Sequence, residues 1–385
     1  MISYSKQFID YQDIDFLKKN LKNDYLTQGN LIERFENSLK LYFKAKYCCV
    51  VSSGTAALHL SGIALEWSEK DIVLLSPNTF VATANTVLYS NAKPDFIDID
   101  KKTLNINIDL LEQKIIFYKK NGRNVNTVIA TDYAGHPCDW KSLYYLKKKY
   151  KFNLINDNCH SIGSRIDNDK GYASKYADIV IHSYHPVKAI TTGEGGSVLT
   201  NNSKLYQKIK LLRSHGIERS KTLSKKYGNW YYNINNIGYN YRLSEINCAL
   251  GITQLKKLNK FIIKKRSNAK IYDKIFNKNK DFIIPFQAKS YFHSYHLYVL
   301  QYDFKKNKIS KKSFFNFMNK KNINLQVHYV PIYKFKLYKN KFNYNIKNFP
   351  NCENFYNSAF SIPNYYNLSK KNIEYIGKKI LEFFN

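Results

Sequence analysis

Residues 178–200 read DIVIHSYHPVKAITTGEGGSVLT, and this stretch decides the fold. Ile179–Ile181 is a β-branched run short enough for a buried strand, and Val198–Leu199 follows a Gly-Gly pair that lets the backbone turn tightly. The stretch therefore predicts a strand, a polar loop and a second strand. Lys188 lies in that loop, where surroundings that lower its pKa would make it a nucleophile. The alternative is a solvated surface lysine, and the rest of the sequence decides between the two.

Length and composition indicate a large globular protein. The chain has 385 residues, enough for one large and one smaller domain, and its 44% hydrophobic and 16% aromatic content exclude a disordered polymer. No apolar run approaches the ~20 residues that span a bilayer, and the N-terminus lacks the apolar region of a secretory signal. Six cysteines without Cys-x-x-Cys spacing indicate reduced thiols and a cytoplasmic protein. We expect neither a membrane partner nor a metal.

The formal charge of +32 raises the alternative of a nucleic-acid-binding protein. However, only seven of the 61 basic residues are Arg, the side chain that most often reads base edges. The lysines are spread along the chain and form no single basic arm. We therefore attribute the charge to overall composition, expect no nucleic acid partner, and note that the charge can attract an anionic substrate.

Strands alternate with helices through the first half of the chain. The predicted strands are Tyr47–Val51, Ile72–Leu75, Pro94–Ile99, Thr127–Thr131 and Asn153–Ile155, and the predicted helices are 55–65, 79–89, 108–119 and 140–150. This order predicts an α/β fold with a mostly parallel sheet covered on both faces. Because ligands bind at the carboxyl ends of such strands, Ser52–Thr55, Asp157 and Ser183–Lys188 are expected to converge.

The second half of the chain changes in pattern. Residues 219–236 are polar and predict an irregular loop, followed by a long helical segment from Glu245 and a second helical run over 260–276. A domain boundary is placed near 255, giving a large domain at 1–255 and a smaller C-terminal domain at 256–385. In the latter we expect strands at Phe292–Tyr302 and Leu325–Tyr329, helices at 311–319 and 369–384, and a solvated loop at 334–349.

The converging groups match the needs of pyridoxal 5'-phosphate, which has an aldehyde, a pyridine nitrogen, a phosphate and a flat ring. Lys188 would hold the aldehyde as a Schiff base and then move a proton, typically worth ~10²–10⁴ in rate. Asp157 would pair with the protonated pyridine nitrogen, Phe80 would stack on the ring, and Ser52–Ala56 with Ser183 would hold the phosphate. Taken singly, Asp157 could equally cap a loop and Phe80 could be a core residue.

Several motifs resemble the DegT-type nucleotide-sugar aminotransferases over nearly the whole chain. They are SYHPVK at 183–188 with TTGEGG at 191–196, LTQG at 26–29, SSGTAAL at 52–58, TFVAT at 79–83, DYAG at 132–135, RSHG at 213–216, YNYR at 239–242 and QVHY at 326–329. The resemblance implies a type I aminotransferase fold, with a large mostly parallel-sheet domain and a smaller C-terminal α+β domain.

The same resemblance implies which residues bind the cofactor. They are Ser53, Gly54, Thr55, Ala56, Phe80, Asp157, His160, Ser183, His185, Lys188 and Asn240. Lys188 and Asp157 are the implied catalytic residues, and Asn240 would reach the phosphate of a neighbouring subunit, which implies a homodimer with shared active sites. The Asn residues flanking Asp157 depart from the acidic and small residues usual in the family.

Within the family, the chain is most similar to transaminases of the pseudaminic acid pathway. These convert a UDP-linked 4-keto-6-deoxy-2-acetamido sugar to the 4-amino sugar with L-glutamate as donor. The implied substrate-binding residues are Tyr4, Tyr25, Leu26, Thr27, Gly54, Ser183, His328, Tyr329, Pro331, Ile332 and Tyr333. The alternatives are an aminotransferase for another nucleotide keto sugar (3- or 4-amino) and a non-catalytic relative. The family's dehydratases carry His in place of the lysine, so Lys188 favours transamination.

Overall fold

The computed structural model describes residues 1–384. Its helices are α1 (Tyr11–Asn20), α2 (Asn30–Phe43), α3 (Gly54–Ala64), α4 (Val81–Tyr89), α5 (Ile108–Lys120), α6 (Trp140–Tyr150), α7 (Tyr172–Tyr176), α8 (Ser203–Leu212), α9 (Lys221–Tyr227), α10 (Glu245–Phe276), α11 (Lys311–Lys320), α12 (Lys336–Phe342), α13 (Pro350–Ser358) and α14 (Lys370–Phe384).

The strands follow the same chain order. They are β1 (Tyr47–Val51), β2 (Ile72–Leu75), β3 (Lys93–Phe96), β4 (Val125–Thr131), β5 (Asn153–Asp157), β6 (Arg165–Ile166), β7 (Ile179–Ser183), β8 (Gly196–Thr200), β9 (Ile217–Glu218), β10 (Asn233–Ile234), β11 (Phe282–Ile283), β12 (Tyr291–Phe292), β13 (Tyr298–Tyr302) and β14 (Ala359–Ile362).

A seven-stranded sheet forms the centre of the molecule, in the order β1-β8-β7-β5-β4-β2-β3. Only β8 runs antiparallel to its neighbours, so the sheet is mostly parallel. Successive residues of a strand face opposite sides: Val128 packs in one buried cluster with Phe35 and Trp140, and Ile129 packs in another with Leu58. Both faces are therefore covered by apolar side chains, and the predicted α/β fold is confirmed.

The sheet brings the ends of three strands to one edge. β5 and β7 are adjacent and parallel, and β1 runs in the same direction as β7 because β8 is antiparallel to both. The strands end at Val51, Asp157 and Ser183. Loops that follow these strands therefore meet at the carboxyl edge, where ligands bind in open α/β sheets.

Helix α10 is a single element of 32 residues. Ser244 caps it by accepting a hydrogen bond from the Asn247 backbone N–H at 3.2 Å. The two helical runs expected from the sequence are thus one helix, because buried residues recur at helical spacing from Cys248 to Phe276, with Lys265 and Asn268 among them. The boundary placed near 255 falls inside this helix, and the division into two domains stays a prediction.

The C-terminal region packs around a three-stranded sheet, β11-β13-β14, with α11 and α14 over its aromatic core. The expected strand over 292–302 is confirmed only at its two ends: Phe292 belongs to β12, which pairs with β6, and 298–302 form β13, which joins the other sheet. Residues 293–297 between them form a loop. The expected strand at 325–329 is also wrong, since only an isolated bridge joins Gln326 to Ser361.

The two segments expected to be loops also contain regular structure. Residues 219–236 include α9 and β10, and residues 334–349 include α12, whose Tyr338 is buried against the body of the protein. Both segments are rich in Lys and Asn. The few apolar residues that pack inward therefore give no clear periodic pattern in the sequence. Within residues 1–384, no helix is long and apolar enough to cross a membrane.

Candidate active site

A cavity of about 560 Å³ opens at the carboxyl edge of the large sheet. Many of the residues singled out from the sequence line it: Tyr4, Ser53, Gly54, Thr55, Phe80, Asp157, His160, Ser183, His185, Lys188, His328 and Tyr329. These residues come from the N-terminal segment, from the ends of four strands (β1, β2, β5 and β7) and the residues that follow them, and from the segment before α12. The fold thus assembles in one place groups that are more than 300 residues apart in sequence.

Lys188 lies in the loop between β7 and β8, whose base is closed by backbone hydrogen bonds. The Tyr184 N–H donates to the Gly195 carbonyl at 2.8 Å, and the Thr192 N–H donates to the Tyr184 carbonyl at 3.0 Å. At the tip, the Lys188 N–H donates to the His185 carbonyl at 2.8 Å. Removal from water lowers the pKa of Lys188, and Cys159 and Asp157 only partly oppose this shift. The amine is therefore more easily deprotonated than that of an ordinary surface lysine.

Asp157 ends β5, and its buried carboxylate is held on both oxygens. Thr83 donates from Oγ1 to Oδ2 at 2.9 Å, and the Cys159 backbone N–H donates to Oδ1 at 3.3 Å. The Thr83 hydroxyl is in turn within 3.0 Å of Thr79 Oγ1, which lies 3.1 Å from Thr131 Oγ1. Thr79 precedes α4, Thr83 lies in its first turn and Thr131 ends β4, so this hydroxyl chain joins the carboxylate to two neighbouring elements at the wall of the cavity.

The N-terminus of α3 faces the same cavity. Ser53 caps the helix by accepting a hydrogen bond at Oγ from the Ala56 N–H at 3.0 Å. The amides of Gly54 and Thr55 lie in the first turn, before the helix's own hydrogen bonds begin. A Cβ on Gly54 would lie only 2.9 Å from Ser183 Cβ. Glycine here keeps the helix end close to β7 and leaves an anion-binding concavity open.

His160 links the cavity wall to Tyr329. Burial and the nearby Lys188 lower the pKa of His160 well below its usual value, so the ring is neutral. Its Nδ1 accepts from the Ala134 N–H at 3.4 Å, which places the ring proton on Nε2, 2.8 Å from the Tyr329 hydroxyl. Tyr329 is thus the acceptor of that bond, and its own O–H is left to donate to a ligand in the cavity.

Other predicted site residues lie outside this cavity. The Ala56 amide is used by Ser53, as described above. Tyr25, Leu26 and Thr27 are exposed in the loop before α2, and Asn240 is exposed beside Ser214. Pro331, Ile332 and Tyr333 are buried behind the cavity, where the Tyr333 hydroxyl donates to Glu353 at 2.7 Å. Their assignment to the cofactor or the substrate stays a prediction.

Some residues of the cavity were not singled out from the sequence. Thr79, Thr83 and Thr131 supply the hydroxyl chain, and Cys159 and His296 complete the wall. Thr79 lies before α4, so no helical spacing in the sequence identified the two threonines as partners. No signal identified His296, because its segment was expected to be part of a strand.

The residues present fit pyridoxal 5'-phosphate. A buried carboxylate accepts a hydrogen bond, as a protonated pyridine nitrogen requires, and an amine of lowered pKa is a nucleophile for the aldehyde. A helix N-terminus kept open by Gly54 supplies N–H donors for the phosphate. Phe80 is 53% exposed at the start of α4, with its ring 5.9 Å from that of Tyr329. Its exposed face is free to cover a flat ring.

Comparisons with known proteins agree with this geometry. A sequence model of the DegT/DnrJ/EryC1/StrS aminotransferase family matches residues 7–381. The UDP-4-amino-4,6-dideoxy-N-acetyl-beta-L-altrosamine transaminase of Campylobacter jejuni is 41% identical over 98% of this chain and 96% of its own. The GDP-perosamine synthase of Escherichia coli O157:H7 is 30% identical over 93% of this chain and 92% of its own.

A solved structure is also similar over the whole length. It is that of Helicobacter pylori PseC, an aminotransferase involved in the biosynthesis of pseudoaminic acid. It is 32% identical, covers 100% of this chain and 99% of its own, and has a TM-score of 0.90.

Proposed function

The chain belongs to the DegT/DnrJ/EryC1/StrS aminotransferase family, and we propose that it transfers the amino group of L-glutamate to C4 of a UDP-linked 4-keto-6-deoxy-2-acetamido sugar. The cofactor is pyridoxal 5'-phosphate. The observation that carries this proposal is the convergence of Lys188, Asp157 and the N-terminus of α3 on one cavity. Lys188 is present where the family's dehydratases carry His, which favours transamination.

Each residue of the cavity has a separate role in the proposed reaction. When bound, the cofactor supplies an aldehyde that captures amino groups and a ring that withdraws electrons from the reacting carbon. Asp157 keeps a proton on the pyridine nitrogen, and Thr83 holds that carboxylate in place. Lys188 binds the aldehyde carbon through Nζ and, once released, accepts and returns a proton at Nζ. The amides of Gly54 and Thr55 bind the phosphate, and Phe80 shields one face of the ring from water.

The sugar is assigned from the relatives and the shape of the site. The relative with 41% identity acts on a UDP-linked sugar, and the residues that resemble its subgroup, Tyr4, His328 and Tyr329, line the open side of the cavity. Burial and Lys188 lower the pKa of His328 to about 3, so its ring is neutral and hydrogen-bonds without adding charge. Its Nδ1 lies 2.8 Å from Ser361 Oγ, which leaves Nε2 for the ligand.

The proposal is tested with the purified protein in two steps. Absorbance is recorded with added pyridoxal 5'-phosphate, before and after L-glutamate; a visible-edge band that bleaches with glutamate is expected. UDP-linked and GDP-linked 4-keto sugars are then supplied with isotopically labelled glutamate, and NMR locates the label. We expect label at C4 of the UDP-linked sugar. The control is Lys188→Ala, which should give neither the band nor the product.

Three results would contradict the proposal. Amination by Lys188→Ala at the wild-type rate would remove the proposed nucleophile. Preference for the GDP-linked sugar would favour the alternative of another nucleotide sugar, which the GDP-perosamine synthase relative represents. No band from the folded protein, together with salt-sensitive binding of nucleic acid, would favour the alternative based on its charge.

We also propose that two copies of the chain form a dimer with shared active sites. The segment 217–240 exposes large apolar side chains, among them Trp230 at 79% and Ile237 at 83% exposure. Such side chains clustered on one segment are typical of a protein interface. Asn240 follows them directly and lies outside the cavity of its own chain, so it is free to reach the phosphate in a second copy.

Mixing two inactive variants tests this arrangement. Subunits with Lys188→Ala and subunits with Asn240→Asp are unfolded, mixed and refolded together. If each site takes Lys188 from one chain and Asn240 from the other, a mixed dimer has one site with both changes and one intact site. Activity should then exceed that of either variant alone. No recovery, or a monomer by light scattering, would contradict the shared site.

We also propose that the reaction takes place in the cytoplasm. All six cysteines are free, and five of them are buried. Reduced thiols of this kind are usual where glutathione and thioredoxin prevent disulfides from forming.

A further inference from the structure

A second buried aspartate lies beside Asp157. Asp132 follows β4, is fully buried, and donates from its backbone N–H to the Asp157 carbonyl at 3.3 Å. Its carboxylate accepts five hydrogen bonds from uncharged groups, namely the Cys138 N–H at 2.7 Å and Trp140 Nε1 at 2.9 Å on Oδ1, and the side chains of Asn156 at 3.2 Å, Asn158 at 2.9 Å and Tyr172 at 2.7 Å on Oδ2. A buried carboxylate that is held by uncharged donors alone is costly, so Asp132 needs a physical reason.

The donors around Asp132 require it to be ionised. Four of the five are N–H groups, which cannot accept the proton of a carboxylic acid. The fifth is the Tyr172 hydroxyl, which already accepts a hydrogen bond from Asn158 Nδ2 at 2.8 Å and has its own proton to donate. Burial raises the pKa of Asp132, and the bonds from Cys138, Tyr172 and Trp140 oppose that rise. The charged form therefore depends on the full set of donors.

Two of these donors are the residues on either side of Asp157. Successive side chains of a strand point to opposite faces, so Asn156 and Asn158 point away from the face on which Asp157 meets Thr83. Asn158 continues the pairing with β7, because its N–H donates to a β7 carbonyl at 3.0 Å. Asp132 thus holds the chain immediately before and immediately after Asp157, and it does so with a single oxygen, Oδ2.

The same contacts account for the Asn residues that flank Asp157 in this chain. An acidic side chain at either position would place a second negative charge against Asp132, and a small one would leave Oδ2 a donor short. The nitrogen of the Asn156 amide must point to Asp132, because its oxygen in that place would face a carboxylate. Its Oδ1 is left buried without a partner, so the bond to Asp132 is kept at the expense of an unsatisfied oxygen.

We propose that Asp132 is a positioning residue of the active site, which fixes the Asp157 carboxylate for the pyridine nitrogen of the cofactor by anchoring Asn156 and Asn158. Thr83 and the Cys159 N–H hold the two oxygens of Asp157 from the side of the cavity, and Asp132 holds its backbone from the other side. A hydrogen bond weakens steeply when its geometry is poor, so a carboxylate on a mobile strand end would bind the ring nitrogen less tightly. The inference rests on the proposed role of Asp157.

The experiment isolates the contact with the ring nitrogen. Equilibrium dialysis measures the dissociation constants of pyridoxal 5'-phosphate and of its deaza analogue, in which carbon replaces the ring nitrogen, and the readout is the ratio of the two. A general loss of stability weakens both ligands alike and leaves the ratio unchanged. Loss of the Asp157 contact weakens only pyridoxal 5'-phosphate, and Asp157→Ala shows how far the ratio falls when that contact is absent.

Two variants weaken the anchor to different degrees. Asp132→Asn turns an amide nitrogen toward groups that are themselves donors, whereas Tyr172→Phe removes only one of the five hydrogen bonds. The matched control is Asp98→Asn. Asp98 follows the edge strand β3, is 2% exposed, and accepts hydrogen bonds from the backbone N–H groups of Asn351 and Cys352 at 2.8 and 2.9 Å.

We expect Asp132→Asn to lower the preference for pyridoxal 5'-phosphate over the analogue by about tenfold, the equivalent of one hydrogen bond to a charged group at the weak end of its range. Tyr172→Phe should lower it by less, and Asp98→Asn should leave it unchanged. The proposal is overturned if Asp132→Asn keeps the wild-type ratio or if the control lowers the ratio equally. If Asp132→Asn does not fold, Tyr172→Phe decides the matter, and an unchanged ratio for that variant overturns the proposal.

The same measurement separates this proposal from the proposed function. A wild-type protein that binds both ligands equally, or neither of them, contradicts the role of Asp157 and with it the positioning role of Asp132. A preference that Asp157→Ala removes and Asp132→Asn leaves intact contradicts only the positioning role.

Discussion

Glu245 should be one of the most sensitive positions for stability, because one carboxylate holds two helices together. It begins α10 and is 2% exposed. Its oxygens accept hydrogen bonds from the backbone N–H groups of Gly29, Leu31 and Ile32 at 3.0, 2.9 and 3.2 Å. These are the cap and first-turn amides of α2, which has no other side-chain cap. The Glu245 N–H also donates to the Leu26 carbonyl at 3.0 Å.

The magnitude follows from those bonds. A hydrogen bond to a charged group contributes about 1.5–3 kcal/mol, so three would give roughly 4.5 kcal/mol at the lower value. The Gly29 amide is only partly buried and can bond to water instead, which reduces the expected loss for Glu245→Ala to about 3 kcal/mol. Glu245→Gln keeps one acceptor oxygen and loses the charge at the helix N-terminus, for which we expect about 1–2 kcal/mol.

Urea unfolding followed by circular dichroism measures these differences. Glu33→Gln is the matched control, since Glu33 is an exposed glutamate in the first turn of α2, the helix that Glu245 caps. Its replacement should change the free energy of unfolding by less than about 1 kcal/mol. Because the loop of Tyr25–Thr27 is anchored through Leu26, we also expect Glu245→Gln to raise KM for the nucleotide sugar more than it changes kcat. The reasoning is refuted if Glu245→Ala costs no more than the Glu33 control.

Three other predictions concern the cavity. Asp157→Asn should fold normally but lower kcat by about 10²-fold or more, because an amide does not hold a proton on the pyridine nitrogen; near-wild-type turnover would remove Asp157 from this role. Thr83→Val should lose a charge-assisted hydrogen bond of about 1.5–3 kcal/mol to that carboxylate, measured as a lower free energy of unfolding, and an unchanged value would contradict the contact. The rate at which the protein captures pyridoxal 5'-phosphate, measured by stopped-flow absorbance, should increase as pH rises through the lowered pKa of Lys188, because only the unprotonated amine attacks. If the midpoint of this pH profile equals or exceeds the pKa of an exposed lysine, the result would contradict the burial of Lys188.

The sequence was most informative where buried strands end. The short apolar segments before Asp157 and Lys188 alternate with helices and so predicted parallel strands. Parallel strands bring their carboxyl ends together, so the convergence of the two residues could be foreseen. The polar partners of these two residues could not be foreseen. Nothing in the sequence indicates that Thr83 would turn toward Asp157 rather than toward the core, since this orientation depends on how α4 rotates against the sheet.

The C-terminal region was predicted less well for a different reason. Its strands are short and joined by loops, and residues 291–302 read as one apolar run although β12 and β13 belong to separate sheets. The interruption at His293–Leu297 is made by contacts with the DYAG turn, where the Ser294 N–H donates to the Gly135 carbonyl at 3.0 Å. Contacts of that range leave no periodic trace in the sequence.

Helix α10 connects three parts of the molecule that are far apart in the sequence. At about 1.5 Å per residue its 32 residues extend for about 48 Å, from Glu245 at the loop before α2, past Lys265 behind the active site, to Ile275, against which Gly377 of α14 packs closely. One unbroken helix thus joins the loop before α2, the wall behind the active site and the C-terminal helix α14 in a single element.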